Sequence, residues 1–149
     1  MKRVFVFFLF LAFYGIAIAQ ELPPDVEKVY KGAEKLKNKK EYMLAITEYK
    51  NVLRSVSHVP SMESIGQIAM ELMSPPNYRL AFEYYDKAIQ ELGNQLALAQ
   101  KNKEKEKINE YIQLLTPKRN KAKSYVDDFE KVKEKKENGN RLKKDMEDE

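Results

Sequence analysis

Apolar residues recur at intervals of three and four along most of the chain, the spacing of one helix face, and alternating strand-like runs are nearly absent. The pattern predicts an all-α fold. Leu22-Pro23-Pro24-Asp25 reads as a helix start with Asp25 as the N-cap, and Val26, Val29, Ala33 and Leu36 then fall on one face. The run KNKK at 37–40 ends that helix. A second helix is predicted from about Glu41 to Ser55, with Leu44, Ala45, Tyr49, Val52 and Leu53 facing inward. SVSHVPS reads as a loop and a third helix follows from about Pro60 to Met73. SPPN at 74–77 is a turn, because two prolines remove backbone donors and forbid helix continuation. A fourth helix is predicted from Asn77 to Leu92, stopped by Gly93-Asn94.

Two further helices are predicted beyond this point. One runs from about Gln95 to Leu115. Thr116-Pro117 then reads as an N-cap followed by proline at the first helical position. The last helix carries Ala122, Tyr125, Val126, Phe129 and Val132 at helical spacing. KNKEKEK at 101–107 offers Lys101–Glu104, Lys103–Glu106 and Glu104–Lys107 pairs at i,i+3, the mark of a solvated face. NGNRLKKDMEDE, 138–149, is polar and aperiodic and is expected to be a disordered charged tail.

The stretches EYMLAITEYKNVL and NYRLAFEYYDKAIQEL read alike. A shift of 36 positions carries Val29 to Ile65, Ala33 to Ala69 and Leu36 to Leu72, and then Tyr42 to Tyr78, Ala45 to Ala81, Tyr49 to Tyr85 and Val52 to Ala88. Each pair keeps its type or size class, while Gly32 and Ile68 match poorly. On these residues the chain resembles the tetratricopeptide repeats, helix-turn-helix units of about 34 residues. The two units cover about 26–59 and 62–93. Ala33, Ala45, Ala69 and Ala81 stand at the small positions of that pattern, and Tyr49 and Tyr85 at its ring position. Departures are plain. The tryptophan place holds Val29 and Ile65, the tyrosine of the first helix is Leu36 and Leu72, and the terminal proline is Ser57 and Gly93. The two extra residues fall between Val52 and Ile65, in RSVSHVPSMES, where insertions are tolerated. No repeat register continues past 93, so 20–93 reads as two repeats and 94–137 as a capping helix pair.

The resemblance implies a groove lined by the first helix of each unit, which receives an extended peptide or a helix. The groove positions carried over are Glu27, Tyr30, Glu34 and Lys37 in the first unit, and Glu63, Gly66, Met70 and Met73 in the second. The carboxylate clamp of the family's chaperone-binding members is not supported, because its lysine and asparagine places hold Tyr30 and Glu34. Tyr30 with Met70 and Met73 points instead to an adaptable apolar surface. Tyr30, Glu34, Lys37, Met70 and Met73 are the candidate partner-binding residues. The bland alternative is that Met70 and Met73 only pack beneath the C-terminal helices.

The N-terminus changes where the protein is expected to work. Lys2 and Arg3 precede 16 residues without a charge, Val4 to Ala19, ending in Ala17-Ile18-Ala19. This is the form of a cleavable signal peptide at 1–19, with Gln20 first in the exported chain. An uncleaved anchor is the alternative, although a spanning helix wants about 20 apolar residues. Loss of the leader lowers the formal charge from +4 to +2. There is no cysteine, so the exported domain has no disulfide and rests on its core. The expected location is the periplasm or envelope of a Gram-negative bacterium, or outside the cell.

Catalytic chemistry finds no constellation. His58 is the single histidine, in a predicted loop where solvation is the ordinary state. Ser55, Ser57 and Ser61 lie near it without a nucleophile elbow. There is no phosphate loop, and the acidic terminus lacks the glycine of a calcium loop. No metal, cofactor or nucleic acid is expected. Eight Lys or Arg against three Glu at 101–125 offer an electrostatic alternative, a stripe for membrane surface or cell-wall polymer. The favoured expectation is a non-catalytic adaptor that binds another envelope protein.

Overall fold

The computed structural model describes residues 21–147, and side chains as far as 138. The predicted leader at 1–19 and residues 148–149 lie outside the described residues. The fold is all-α. Helix α1 spans Pro24–Asn38, α2 Tyr42–Ser55 and α3 Val59–Gln67; α3 runs on into a π-helical turn, Ile68–Leu72. Helix α4 spans Tyr78–Leu98 and α5 Asn102–Glu147.

α1 begins with prolines, which suit a first turn because its amides have no intrahelical partner. Asp25 is not the N-cap as expected: Pro23 holds that place, and Asp25 lies in the first turn, where its charge favours the helix dipole. The helix closes on Lys40, whose φ of 64° is left-handed. The Lys40 amide donates to the Lys37 carbonyl and the Glu41 amide to that of Leu36, the two bonds of a Schellman cap.

α1 pairs with α2, and α3 with α4, through one continuous core. Ala33, Ala45, Ala69 and Ala81 are all fully buried, so each pair can cross closely. Tyr49 and Tyr85 are fully buried as well, and so are Val52 and Ala88. Leu44, expected to face inward, is instead exposed, and Ile46 takes the core position. The expected loop around His58 shrinks to Val56–His58 between α2 and α3.

The second half departs most from expectation. Gly93 does not stop α4, which continues to Leu98. Leu92 and Leu96 lie on the core side across the glycine, and their burial outweighs the ~1 kcal/mol that a helical glycine costs. The chain then turns in only three residues and the two predicted C-terminal helices are one. Thr116 and Pro117 sit inside α5, where the Thr116 hydroxyl donates to the Ile112 carbonyl at 2.7 Å. Ile108, Leu115 and Ala122, seven apart and all fully buried, hold one face of α5 on the body on both sides of the proline. That shared burial keeps the helix in register despite the lost hydrogen bond. Segment 138–147, expected to be disordered, is helical, in line with its Lys- and Glu-rich approach of strong helix formers.

α5 runs antiparallel to α4. Arg119 meets Asp86 at 3.2 Å, Tyr125 stacks on Tyr78 with ring centroids 4.0 Å apart, and Glu130 meets Arg79. At 46 residues α5 is about 69 Å long, against about 31 Å for the 21 residues of α4. Beyond Glu130 it projects past the body.

Candidate functional site

Part of the predicted groove face, Tyr30, Glu34, Lys37 and Glu63, lies in a polar seam that α1 and α3 share with α5. Its residues stand one helical turn apart, Tyr30, Glu34 and Lys37 on α1 and Glu63 on α3. From the second helix of the first pair, the Tyr49 hydroxyl donates to the Glu34 carboxylate. Lys37 reaches the same carboxylate at 3.4 Å and the Ser64 hydroxyl at 3.5 Å, linking α1 to α3. From α5, the Tyr111 hydroxyl donates to Glu63, and Lys118 approaches that carboxylate at 3.4 Å. Tyr111 and Lys118 were not singled out by the sequence. They are seven apart on a helix whose register only the fold reveals.

The tyrosines of the seam are held protonated. Burial, with the Glu34 carboxylate beside it, pushes the Tyr30 hydroxyl up to about 12. Burial also raises Tyr49, Tyr85 and Tyr111, with neighbouring carboxylates adding to the shift. Of these, Tyr49 and Tyr111 donate their hydroxyls to Glu34 and Glu63.

His58 corrects the expectation of a solvated histidine. It is buried, its Nδ1 lies 2.8 Å from Ser61 Oγ, and its ring meets Tyr30 edge-on with centroids 4.8 Å apart. Burial lowers its pKa, so it is neutral near pH 7. A histidine–serine hydrogen bond is also the start of a nucleophile–base pair. Here Ser61 is fully buried. The pair lies instead within the first turn of α3, with His58 at its N-cap position.

The candidate residues divide. Tyr30, Glu34 and Lys37 come together, half-buried and tied to one another's neighbours. Glu27 is exposed and pairs with Lys31 at 2.7 Å. Gly66 lies under the Tyr85 ring, where an added Cβ would stand 2.9 Å from it. Met70 is buried in the core, within the π-helical turn, and does not line the seam. Met73 lies away from the seam, in an open hollow of about 410 Å³ that it shares with Tyr42, Met43 and Leu44. Met43 is 64% exposed and Leu44 55%. Sequence periodicity assigned Leu44 to the core and so missed this patch.

The i,i+3 pairs expected at 101–107 do not form among the described residues. Lys101, Lys103, Lys105 and Lys107 are all exposed. Among the described residues no His/Cys/Asp/Glu cluster could hold a metal ion, and no helix is long and apolar enough to cross a membrane. No family model matches the chain, and neither curated proteins nor solved structures give a match.

Proposed function

We propose that the protein is an exported, non-catalytic adaptor that binds another protein of the cell envelope, built on two tetratricopeptide-like helical hairpins. The repeat reading is supported by the 36-residue register: Ala33 and Ala69, Ala45 and Ala81, Tyr49 and Tyr85 share both type and complete burial. The binding role is carried by one observation. Met43 and Leu44 stand exposed beside Met73 around an open hollow, at the turn between α1 and α2. Apolar side chains grouped on a small protein mark a contact site, and methionine adapts its shape to what it meets. The groove residues Tyr30, Glu34 and Lys37 spend their polar atoms internally and support the fold more than a partner.

A crosslinking pull-down from intact producing cells tests this. Met43→Lys with Leu44→Asp is expected to abolish capture and leave the melting temperature nearly unchanged. Replacing Lys101, Lys103, Lys105 and Lys107 by Gln should change little. Capture lost with the lysine set, and weakened steeply by salt, would overturn the adaptor in favour of electrostatic surface binding.

A further inference from the structure

The apolar stripe of α5 outlasts the body that it packs on. Ile108, Leu115 and Ala122 are fully buried, yet the same stripe continues with Tyr125, Phe129 and Val132 at 47%, 65% and 53% exposure. Tyr125 is half covered by Tyr78, and all of 131–138 is exposed. Tyr125, Phe129 and Val132 follow one another at four and three residues, the spacing of a helix-pairing seam, where α5 leaves the body.

The charges beside the seam say what fits there. Residues 124–130 carry Asp127, Asp128 and Glu130 and no Lys or Arg, a net −3. Residues 131–137 carry Lys131, Lys133, Lys135 and Lys136 against Glu134 and Glu137, a net +2. Two such segments laid parallel set acid on acid and lysine on lysine. Laid antiparallel, they set acid on lysine twice. Asp128 and Lys135, seven apart, flank the same edge of the stripe and reinforce that choice. The ion pairs that engage these groups within the helix, Lys123–Asp127, Lys131–Asp128 and Lys133–Glu137, are on the surface and weak.

We infer that residues 124–137 of α5, which straddle the edge of the body, pair with the same segment of a second copy of this chain, antiparallel, through the Tyr125–Phe129–Val132 stripe. Phe129 and Val132 then fill the seam from both copies, and the pairing centre lies between 130 and 131. The proposal is independent of the capture hollow, which lies at the turn between α1 and α2.

Sedimentation of the protein purified from producing cells is expected to show a monomer–dimer equilibrium. Asp127→Lys with Asp128→Lys makes both halves of the segment positive, and Lys133→Glu with Lys135→Glu makes both negative. Glu130 is left in place because it pairs with Arg79. Each double variant alone should weaken dimerisation at least about tenfold, and their equimolar mixture should restore it. Helical circular dichroism checks that the variants fold, and Phe129→Ser offers an uncharged route to the same loss. Because the chain has no cysteine, Asn138→Cys accepts a single spin label. Antiparallel pairing about that centre places the two labels about 22 Å apart along the axis. A wild type that stays monomeric to about 1 mM overturns the proposal. So does a dimer indifferent to the charge reversals and to Phe129→Ser, or a label separation near the ~10 Å of a parallel pair.

Discussion

The hairpins α1–α2 and α3–α4 share a skeleton and differ in how they close it. Both bury a tyrosine and two alanines at matched places. In the first, Tyr30 and Glu34 receive Tyr49, whose hydroxyl donates to Glu34. In the second, the matching positions hold Gly66 and Met70, and the Tyr85 hydroxyl is buried without a partner. The turns diverge for a related reason. Lys40 takes a left-handed φ of 64° and closes α1 with two hydrogen bonds. Its counterpart is Pro76, whose ring forbids positive φ and which has no amide to donate. The second hairpin therefore ends α3 in a π-helical turn, with the Met73 amide on the Ile68 carbonyl and the Asn77 amide on that of Ala69. Asn77 then caps α4, its side chain accepting from the Leu80 amide at 3.0 Å. Matched apolar positions do not require matched polar partners or turns.

The largest way to break the comparison is at Gly66. A side chain there enters the Tyr85 ring, which is fully buried and cannot swing away. Gly66→Leu should cost about 3 kcal/mol, the upper part of the overpacking range. Gly32, also helical, has nothing within 4 Å of an added Cβ, so Gly32→Ala should gain about 1 kcal/mol from helix propensity. Chemical denaturation of the two variants is expected to give opposite signs. A shared sign would mean that Tyr85 is not seated on Gly66.

That contrast also marks what was legible in the sequence. The all-α class and the four helices to about residue 92 follow from apolar spacing, because burial of one helix face leaves a direct trace in the residue types. Leu44 and Ile46 exchanged roles because both fit the apolar pattern and only the crossing of α1 and α2 decides which is covered. Gly93 and Pro117 misled for the opposite reason. Each is a local breaker, and each is overruled by buried residues on both sides, Leu92 with Leu96 and Leu115 with Ala122. Of the candidate groove, Tyr30, Glu34 and Lys37 were named through the tetratricopeptide resemblance, and the structure brings them together on α1. Met70 was named with them, but it is buried in the core inside a π-helical turn that the apolar spacing does not reveal. His58 was hidden by context: a three-residue connection between packed helices buries what a longer loop would leave wet.

The second test sharpens the tyrosine pair. Tyr49→Phe removes a donor from the Glu34 carboxylate and should cost about 1–2 kcal/mol, since hydrogen bonds to charged groups are the stronger kind. Tyr85→Phe removes a hydroxyl that has no partner, and should be neutral or stabilise by up to about 1 kcal/mol. Equal losses in thermal melts of the two variants would show that the second hairpin supplies its tyrosine with a partner after all.

The smallest expected effect separates the hairpins by pH. His58 joins the first hairpin to α3, and the position 36 further on is Asn94, which does not titrate. Burial against Tyr30 and Ser61 holds the folded pKa of His58 below its ordinary 6.5. The unfolded chain therefore binds a proton more readily than the folded one once the pH falls below about 6.5. Stability from the neutral ring is complete above that value and is lost as the pH falls towards the folded pKa. The melting temperature should decline between about pH 7 and pH 5, a window with no second histidine and largely above the carboxylate range. His58→Gln retains a polar group for Ser61 and removes the titration, so its melting temperature should be flatter across the same window. If wild type and His58→Gln decline in parallel, the slope belongs to carboxylates, and the seam around Tyr30 is more open to water than its burial indicates.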